Sequence, residues 1–287
     1  MQYLEIAPAP CLTPFVAAFW TLRGTSEEPS YDLVLPDGHA ELVVHRTGRF
    51  LEWQQSGEIA EQPTALVAGV MERAIALSPA RRFETVGVRF TAHGLAPLCR
   101  YTQSALSSRL TPAGDALSPG FAQIVDDVAQ ADSLEESLAI LQMGLVRLSD
   151  RVAPAPNRVA AAVRLIDRTG GTISMDGLVH HTGATSRWLE RQFQAFVGMP
   201  PKRYARVVRF HRAVSALVSA PETAGAAVAV HHGYYDQAHF TGEFKAFTGW
   251  APRAFASQKL GELTRHFVSD SSKTRARAPR DTARVGG

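Results

Sequence analysis

Along residues 1–91, apolar and polar positions come in short runs broken by Gly, Pro or clusters of charge. Phe15–Leu22, Asp32–Leu35, Ala40–His45, Ala65–Val70 and Glu84–Thr91 are rich in apolar and aromatic residues, and this pattern predicts strands. Pro36-Asp37-Gly38 and Thr47-Gly48 mark turns. Strands at this spacing predict a sandwich or a small barrel. A short helix is expected near 94–101, and residues 103–120, rich in Ser, Thr, Pro and Gly, are expected to form a loop. Two helices follow. In the second, at about 133–149, Leu134, Leu138, Leu141, Leu145 and Leu148 share one stripe, Ser133 stands at the N-cap, and Glu135 and Glu136 fall in the first turn. The stripe fits core packing against the β domain or half of an antiparallel helix pair in a dimer. Ala153-Pro154-Ala155-Pro156 forbids a continuous helix and marks a linker.

Beyond the linker the period is helical, and the pattern repeats. Val159, Val163 and Ile166 give a helix that ends at Gly170-Gly171. Phe193-Gln194-Ala195-Phe196-Val197-Gly198 returns as Phe244-Lys245-Ala246-Phe247-Thr248-Gly249, and Pro201, Tyr204 and Ala205 return as Pro252, Phe255 and Ala256, always 51 residues on. A fixed offset predicts two copies of one supersecondary unit. Each copy reads as a supporting helix, a Gly-containing turn and a second helix, which is a helix-turn-helix.

In the first unit, Ser174–His181 is the supporting helix, Thr182-Gly183-Ala184 the turn and Thr185 the cap of the second helix. Leu189, Phe193 and Phe196 face inward, while Arg187, Glu190, Arg191 and Gln194 recur at helical spacing on the opposite face. Arg pairs with guanine, Glu accepts from cytosine and Gln pairs with adenine, so this face holds a base-reading vocabulary. In the second unit, Asp236 is the matching cap, and Phe240, Phe244 and Phe247 face inward. Its outer positions are Ala238, Thr241, Gly242 and Lys245, a poorer set, to which only Gln237 and His239 add polar reach near the helix start. A helix over 201–218 joins the units; at ~1.5 Å per residue it spans about 27 Å, which suits two reading helices set near one DNA turn apart. Lys202, Arg203 and Arg206 near its start are candidate phosphate contacts, while Arg209 and Arg212 fit internal salt bridges equally well.

Charge sharpens this division. Residues 1–150 hold 10 Lys plus Arg against 18 Asp plus Glu, a net of −8, whereas residues 151–287 hold 20 against 9, a net of +11. The basic half is therefore the one expected to meet a polyanion. Lys273, Arg275, Arg277, Arg280 and Arg284 lie in a stretch without hydrophobic periodicity, so residues 261–287 are expected to be a disordered basic tail. Cys11 and Cys99 make neither a disulfide framework nor a C-x-x-C pair, and no signal peptide or membrane-spanning apolar run is evident; a cytoplasmic protein is expected.

The segments GATSRWLERQFQAFVGMPPKRYARVVRFHRA and HHGYYDQAHFTGEFKAFTGWAPRAF resemble the DNA-binding domain of the AraC/XylS family of bacterial transcription regulators over Ile173–Phe255. FVAAFWTL, LPDGHAELVV and VGVRFTAHG are similar to a sensor domain found in relatives. The resemblance implies a cupin-like β domain, a seven-helix DNA-binding domain, and promoter binding controlled by a small effector or by dimerisation. Relatives often carry Arg where this chain has Gly242, and a larger apolar residue where it has Gly225. The first unit is therefore expected to supply most of the base readout.

Catalytic readings are weaker. His39, Glu41 and His45 alternate along one strand and raise the thought of a metal-dependent cupin-like enzyme, but the clustered His-x-His ligands of such a site are missing. His180-His181 and His231-His232 sit at matched places in the repeat, and no nucleophile elbow or phosphate loop is present. No metal, no cofactor and no enzymatic activity are expected. The expected fold class is α+β: a β-rich cupin-like domain with trailing helices over 1–152, an all-α domain with two helix-turn-helix motifs joined by a long helix over 157–260, and the tail over 261–287. The expected partners are double-stranded promoter DNA, an effector, a second copy of the chain and, for an activator, RNA polymerase.

Overall fold

The computed structural model describes residues 1–26, 31–54, 57–219, 225–257, 261–265 and 268. Its strands are β1 (Gln2–Ile6), β2 (Val16–Thr25), β3 (Asp32–Val34), β4 (Glu41–Thr47), β5 (Leu51–Trp53), β6 (Ile59–Glu61), β7 (Ala65–Ala68), β8 (Ile75–Ser78), β9 (Arg82–Phe90) and β10 (Leu110–Pro112). The helices are α1 (Gln103–Leu106), α2 (Ala113–Ala116), α3 (Pro119–Gln130), α4 (Leu134–Ser149), α5 (Asn157–Arg168), α6 (Met175–Thr182), α7 (Ser186–Phe196), α8 (Pro201–Ser219), α9 (Gly225–His231), α10 (Gln237–Thr248) and α11 (Pro252–Ala256). The chain is α+β, with antiparallel sheets first and helices after. Among the described residues no helix is long and apolar enough to cross a membrane.

Among the described residues, ten strands form two antiparallel sheets, one in the order β1-β2-β9-β4-β7-β10 and one in the order β3-β8-β5-β6. The period of two sorts the large sheet into faces. Phe19, Leu42, Val44, Val86, Val88 and Phe90 join the cluster that includes Phe121, Val125, Leu141 and Leu145 of α3 and α4. Trp20, Leu22 and Phe83 point the other way, into a cluster with Phe50 and Leu77 of the small-sheet side. On this second face Gly87 admits the Trp20 ring, since a Cβ there would stand 2.3 Å from Trp20 Cε2. The same face carries Glu41, His45, Thr85 and Arg89, so one side of the sheet is apolar core and the other is mixed.

The stripe expected at 133–149 is α4; its N-cap Ser133 accepts from Glu136 N, and the helix packs on α3, β2 and β9. The loop expected over 103–120 is corrected. It contains α1, β10 and α2, because Gln103, Leu106, Ala113, Ala116 and Leu117 are buried and their backbone groups must be paired inside the fold.

The two halves of the chain are in contact. Gly38, at φ +86°, lets the turn after β3 approach Tyr204 of α8; a Cβ at Gly38 would lie 2.8 Å from Tyr204 Cε2. Arg203 Nη1 donates to both carboxylate oxygens of Glu72, at 2.6 and 2.7 Å, and Ala74 N donates to Phe247 O at 2.7 Å. The tail expected from residue 261 is corrected at its start. Residues 262–265 are helical, and Leu263, Thr264 and Val268 are buried, because Thr264 finds hydrogen-bond partners on β3. Residues 269–287, with the basic positions of that tail, lie outside the described residues.

Candidate nucleic-acid interface

Two short helices, each carrying a turn and a capped partner helix, stand on either side of α8. In the first unit, Ser174 caps α6 by accepting from Gly177 N, and Thr185 Oγ1 caps α7 by accepting from Trp188 N at 3.2 Å. Asp236 Oδ1 caps α10 by accepting from His239 N at 2.7 Å. Each cap satisfies one of the donors that a helix start leaves open, and Thr185 and Asp236 stand at equivalent places in the repeat. Inside, Leu189 and Phe193 of α7 and Phe240, Phe244 and Phe247 of α10 are buried, and Phe196 is half-buried against the same core. The aromatic residues are the shared scaffold: Phe193 meets Tyr204, and Phe244 meets Phe210 and Phe255.

The outer faces differ. On α7, Arg187, Glu190 and Arg191 are exposed and Gln194 is partly exposed. On α10, Gln237, Ala238, His239, Gly242 and Lys245 are exposed, and Thr241 is partly so. Gly242 has open space around it, with nothing within 4 Å of where a Cβ would be. A cleft of about 990 Å³ between the units brings together Glu190, Lys202, Arg206 and His239. Thr185, Arg187, Arg191, Gln194, Gln237 and Lys245 lie outside it, and Arg203 turns to Glu72 of the N-terminal half.

One residue of this region escaped the sequence reading. Glu243, on the inner side of α10 and only 5% exposed, holds Arg206 Nε at 2.9 Å and Arg209 Nη2 at 3.2 Å, both from α8. His239 Nε2 lies 3.9 Å from the same carboxylate. Arg209 also covers the Tyr234 ring at 4.8 Å, and Arg206 lies 5.8 Å from the centroid of Phe247. Arg209 is thus an internal ion-pair partner, while Arg206, 41% exposed, is held by Glu243 on one side and open on the other. Arg212 donates to the Asp167 carbonyl and ties α8 to α5. The signal available for Glu243 was its place among three inward phenylalanines, where a lone carboxylate demands a cation.

The histidines of the β part have separate partners. His45 Nδ1 and Nε2 meet Thr85 Oγ1 at 3.2 Å and Gln62 Oε1 at 3.0 Å, and His39 Nδ1 meets Phe90 O at 2.7 Å. Burial lowers His45 to a pKa of about 4. Among the described residues no group of three His, Cys, Asp or Glu side chains converges as a metal site would.

Comparison with known proteins follows this division. Residues 178–258 match a family model described as a helix-turn-helix domain, and residues 4–112 match one described as a domain of unknown function, DUF6597. The F1 operon positive regulatory protein of Yersinia pestis is 36% identical over 83 residues, which is 29% of this chain and 27% of that protein. The chain thus spans about a quarter of the length of that curated relative. Among solved structures, ToxT of Vibrio cholerae is similar over 83% of this chain and 97% of its own, at 9% identity and a TM-score of 0.46. An AraC-type regulator of Chromobacterium violaceum is similar over 36% of this chain and 95% of its own, at 23% identity and a TM-score of 0.32. The C-terminal half of the chain thus carries an AraC-type helix-turn-helix domain.

Proposed function

We propose that the protein is a sequence-specific DNA-binding transcription regulator, with residues 157–260 binding promoter DNA and residues 1–152 sensing an effector or mediating assembly of two copies. The observation that carries this reading is the exposed row Arg187, Glu190, Arg191 and Gln194 on a capped helix of a duplicated helix-turn-helix. These side chains match base edges of the major groove, and Arg187, Glu190 and Arg191 are exposed. Arg187 and Arg191 read bases, Glu190 and Gln194 add discrimination, and Thr185 fixes the helix start. The second unit grips the backbone or reads DNA shape through Gln237, His239 and Lys245, while Lys202 and Arg206 neutralise phosphate. The protein acts in the cytoplasm, meets RNA polymerase if it activates, and performs no catalysis.

Regulation runs through the contact between the halves. Arg203 cannot serve a phosphate while Glu72 holds it. An equilibrium between docked and released arrangements, with different DNA affinities, gives an effector or a second copy something to bias. Selection of bound genomic fragments by the purified protein, with and without Arg187→Ala plus Arg191→Ala, tests the assignment. Loss of the selected sequence in the double variant is expected; an unchanged selection overturns it.

A further inference from the structure

The turns of the two units differ in length. Between the left-handed glycine after the supporting helix and the cap of the next helix, the first unit has one residue, Ala184. The second has two, Tyr234 and Tyr235. Gly183 stands at φ +62° and Gly233 at φ +75°. Ala184 is buried, and so is Tyr234, whose ring meets Phe240 at 5.0 Å and His239 at 5.4 Å. Ala184 and Tyr234 are thus the inward residues of the two turns. Tyr235 is the additional residue, and at 91% it is the most exposed large apolar side chain among the described residues.

The backbone beneath that ring is fixed. Tyr235 N donates to His239 Nδ1 at 3.4 Å, while His239 N donates to Asp236 Oδ1 at 2.7 Å. The turn and the start of α10 therefore satisfy each other's donors, as in a capping box. On one side Tyr234 is held under Arg209, and on the other Asp236 is the cap. An aromatic side chain on a held backbone has few torsions to lose on binding, which keeps the cost of ordering it low.

Exposure by itself says little, since single apolar side chains are common on protein surfaces. Position says more. In a helix-turn-helix the start of the second helix enters the groove, so the residue just before its cap stands at the groove wall, which is sugar and phosphate. On α10 that residue is Tyr235. Its neighbours in the chain are polar rather than apolar: Asp236, Gln237 and His239 are exposed, and the Asp236 carboxylate is engaged by the helix start. A phenol suits such a wall, because its hydroxyl donates to a phosphate oxygen while its ring covers the flat side of a deoxyribose. The second unit has use for an anchor of this kind, since Gly242 leaves the middle of α10 without a long side chain.

We propose that Tyr235 is an uncharged anchor on the DNA backbone beside α10, with its hydroxyl on a phosphate and its ring against the adjoining sugar. This rests on the reading of residues 157–260 as a DNA-binding domain and says where the second unit takes hold. The competing occupant is a second copy of the chain, since Val230 of α9, 73% exposed, is another large apolar side chain on the surface of this unit.

Genomic fragments selected by the wild-type chain, and random duplexes, are titrated with wild type, Tyr235→Ala and Tyr235→Phe over a range of salt concentrations. Tyr235→Ala is expected to weaken binding about tenfold on both DNAs, and Tyr235→Phe, which keeps the ring, by about threefold. The phenol is neutral, so the salt slope is expected to stay at its wild-type value, whereas loss of a cationic contact lowers it by about 1. Thermal melts are expected to match the wild type, and the phenylalanine variant keeps the test intact should the alanine variant melt early. In the full chain with Tyr235→p-benzoylphenylalanine, irradiation is expected to join the protein to DNA. A photoproduct between two protein chains instead overturns the proposal, as does wild-type affinity in Tyr235→Ala, a reduced salt slope, or a loss confined to the selected fragments. Failure of the wild type to bind DNA would remove the regulator reading and the anchor together. Normal binding by the wild type beside an indifferent Tyr235→Ala would remove the anchor alone.

Discussion

α7 and α10 share a repeated sequence pattern and a scaffold in structure, yet they present different surfaces. Both are capped by a side-chain oxygen at the same place in the repeat, Thr185 and Asp236, and both bury phenylalanines against α8. On α7 the outer positions are long and polar. On α10 all but Lys245 are small, with Gly242 open to solvent where a reading side chain would stand. The inner sides differ too. The position of Gln192 in α7 is taken by Glu243 in α10, and that carboxylate draws Arg206 and Arg209 inward. The repeat therefore preserves what builds a helix-turn-helix, while the outer positions differ from one copy to the other.

The largest effect that would break this asymmetry is loss of readout from α7. Arg187→Ala plus Arg191→Ala is expected to reduce specific binding by about a hundredfold or more, at ~1–3 kcal/mol for each bidentate pair, with little change on random DNA. Competition binding measures it, and an equal loss on both DNAs would show that α7 only grips. The converse experiment adds what α10 lacks. Because Gly242 has open space, Gly242→Arg should gain up to about 1 kcal/mol of helix stability and sharpen preference at the second half-site by tenfold or so. A thermal melt and a binding-site selection test it; a selection logo unchanged at those positions would show that α10 does not enter the groove. Removing a cap should cost about 1 kcal/mol in either unit, so Thr185→Ala and Asp236→Ala are expected to lower stability alike while only the first disturbs specificity. Glu72→Ala frees Arg203 and is expected to raise affinity a few-fold on every sequence. Smallest of all, Lys245→Ala should weaken binding evenly and reduce the salt slope by about 1, as loss of a phosphate contact does. Sequence-dependent weakening would move Lys245 into the reading set.

Much of this was legible in the chain. The caps Ser133, Thr185 and Asp236, the inward phenylalanines and the apolar runs of β2, β4 and β9 are local signals, and they carried through to the fold. Strands of three or four residues, such as β5, β6, β8 and β10, are too short to show a period, and pairing alone defines them. The two ion pairs that shape the candidate interface were invisible for a different reason. Arg203 and Glu72 are 131 positions apart, and Arg206 and Glu243 are 37 apart, so nothing in the local pattern announces them. The segment 262–265 was lost in the polar tail because its docking is decided by Asp32, a buried acid 232 positions away.

Glu243 has one more consequence, which concerns ions rather than contacts. A basic side chain strengthens binding to DNA by freeing the cations condensed along the duplex, and the gain counts only net positive charge delivered to phosphate. Arg206 arrives already accompanied by a carboxylate that cannot leave, because it is built into α10. A phosphate that recruits Arg206 must share it, and the neighbourhood of α10 delivers less charge than its cations suggest. Affinity at the second unit should accordingly be less sensitive to salt than at the first, so that rising ionic strength loosens the hold of the reader before that of the grip.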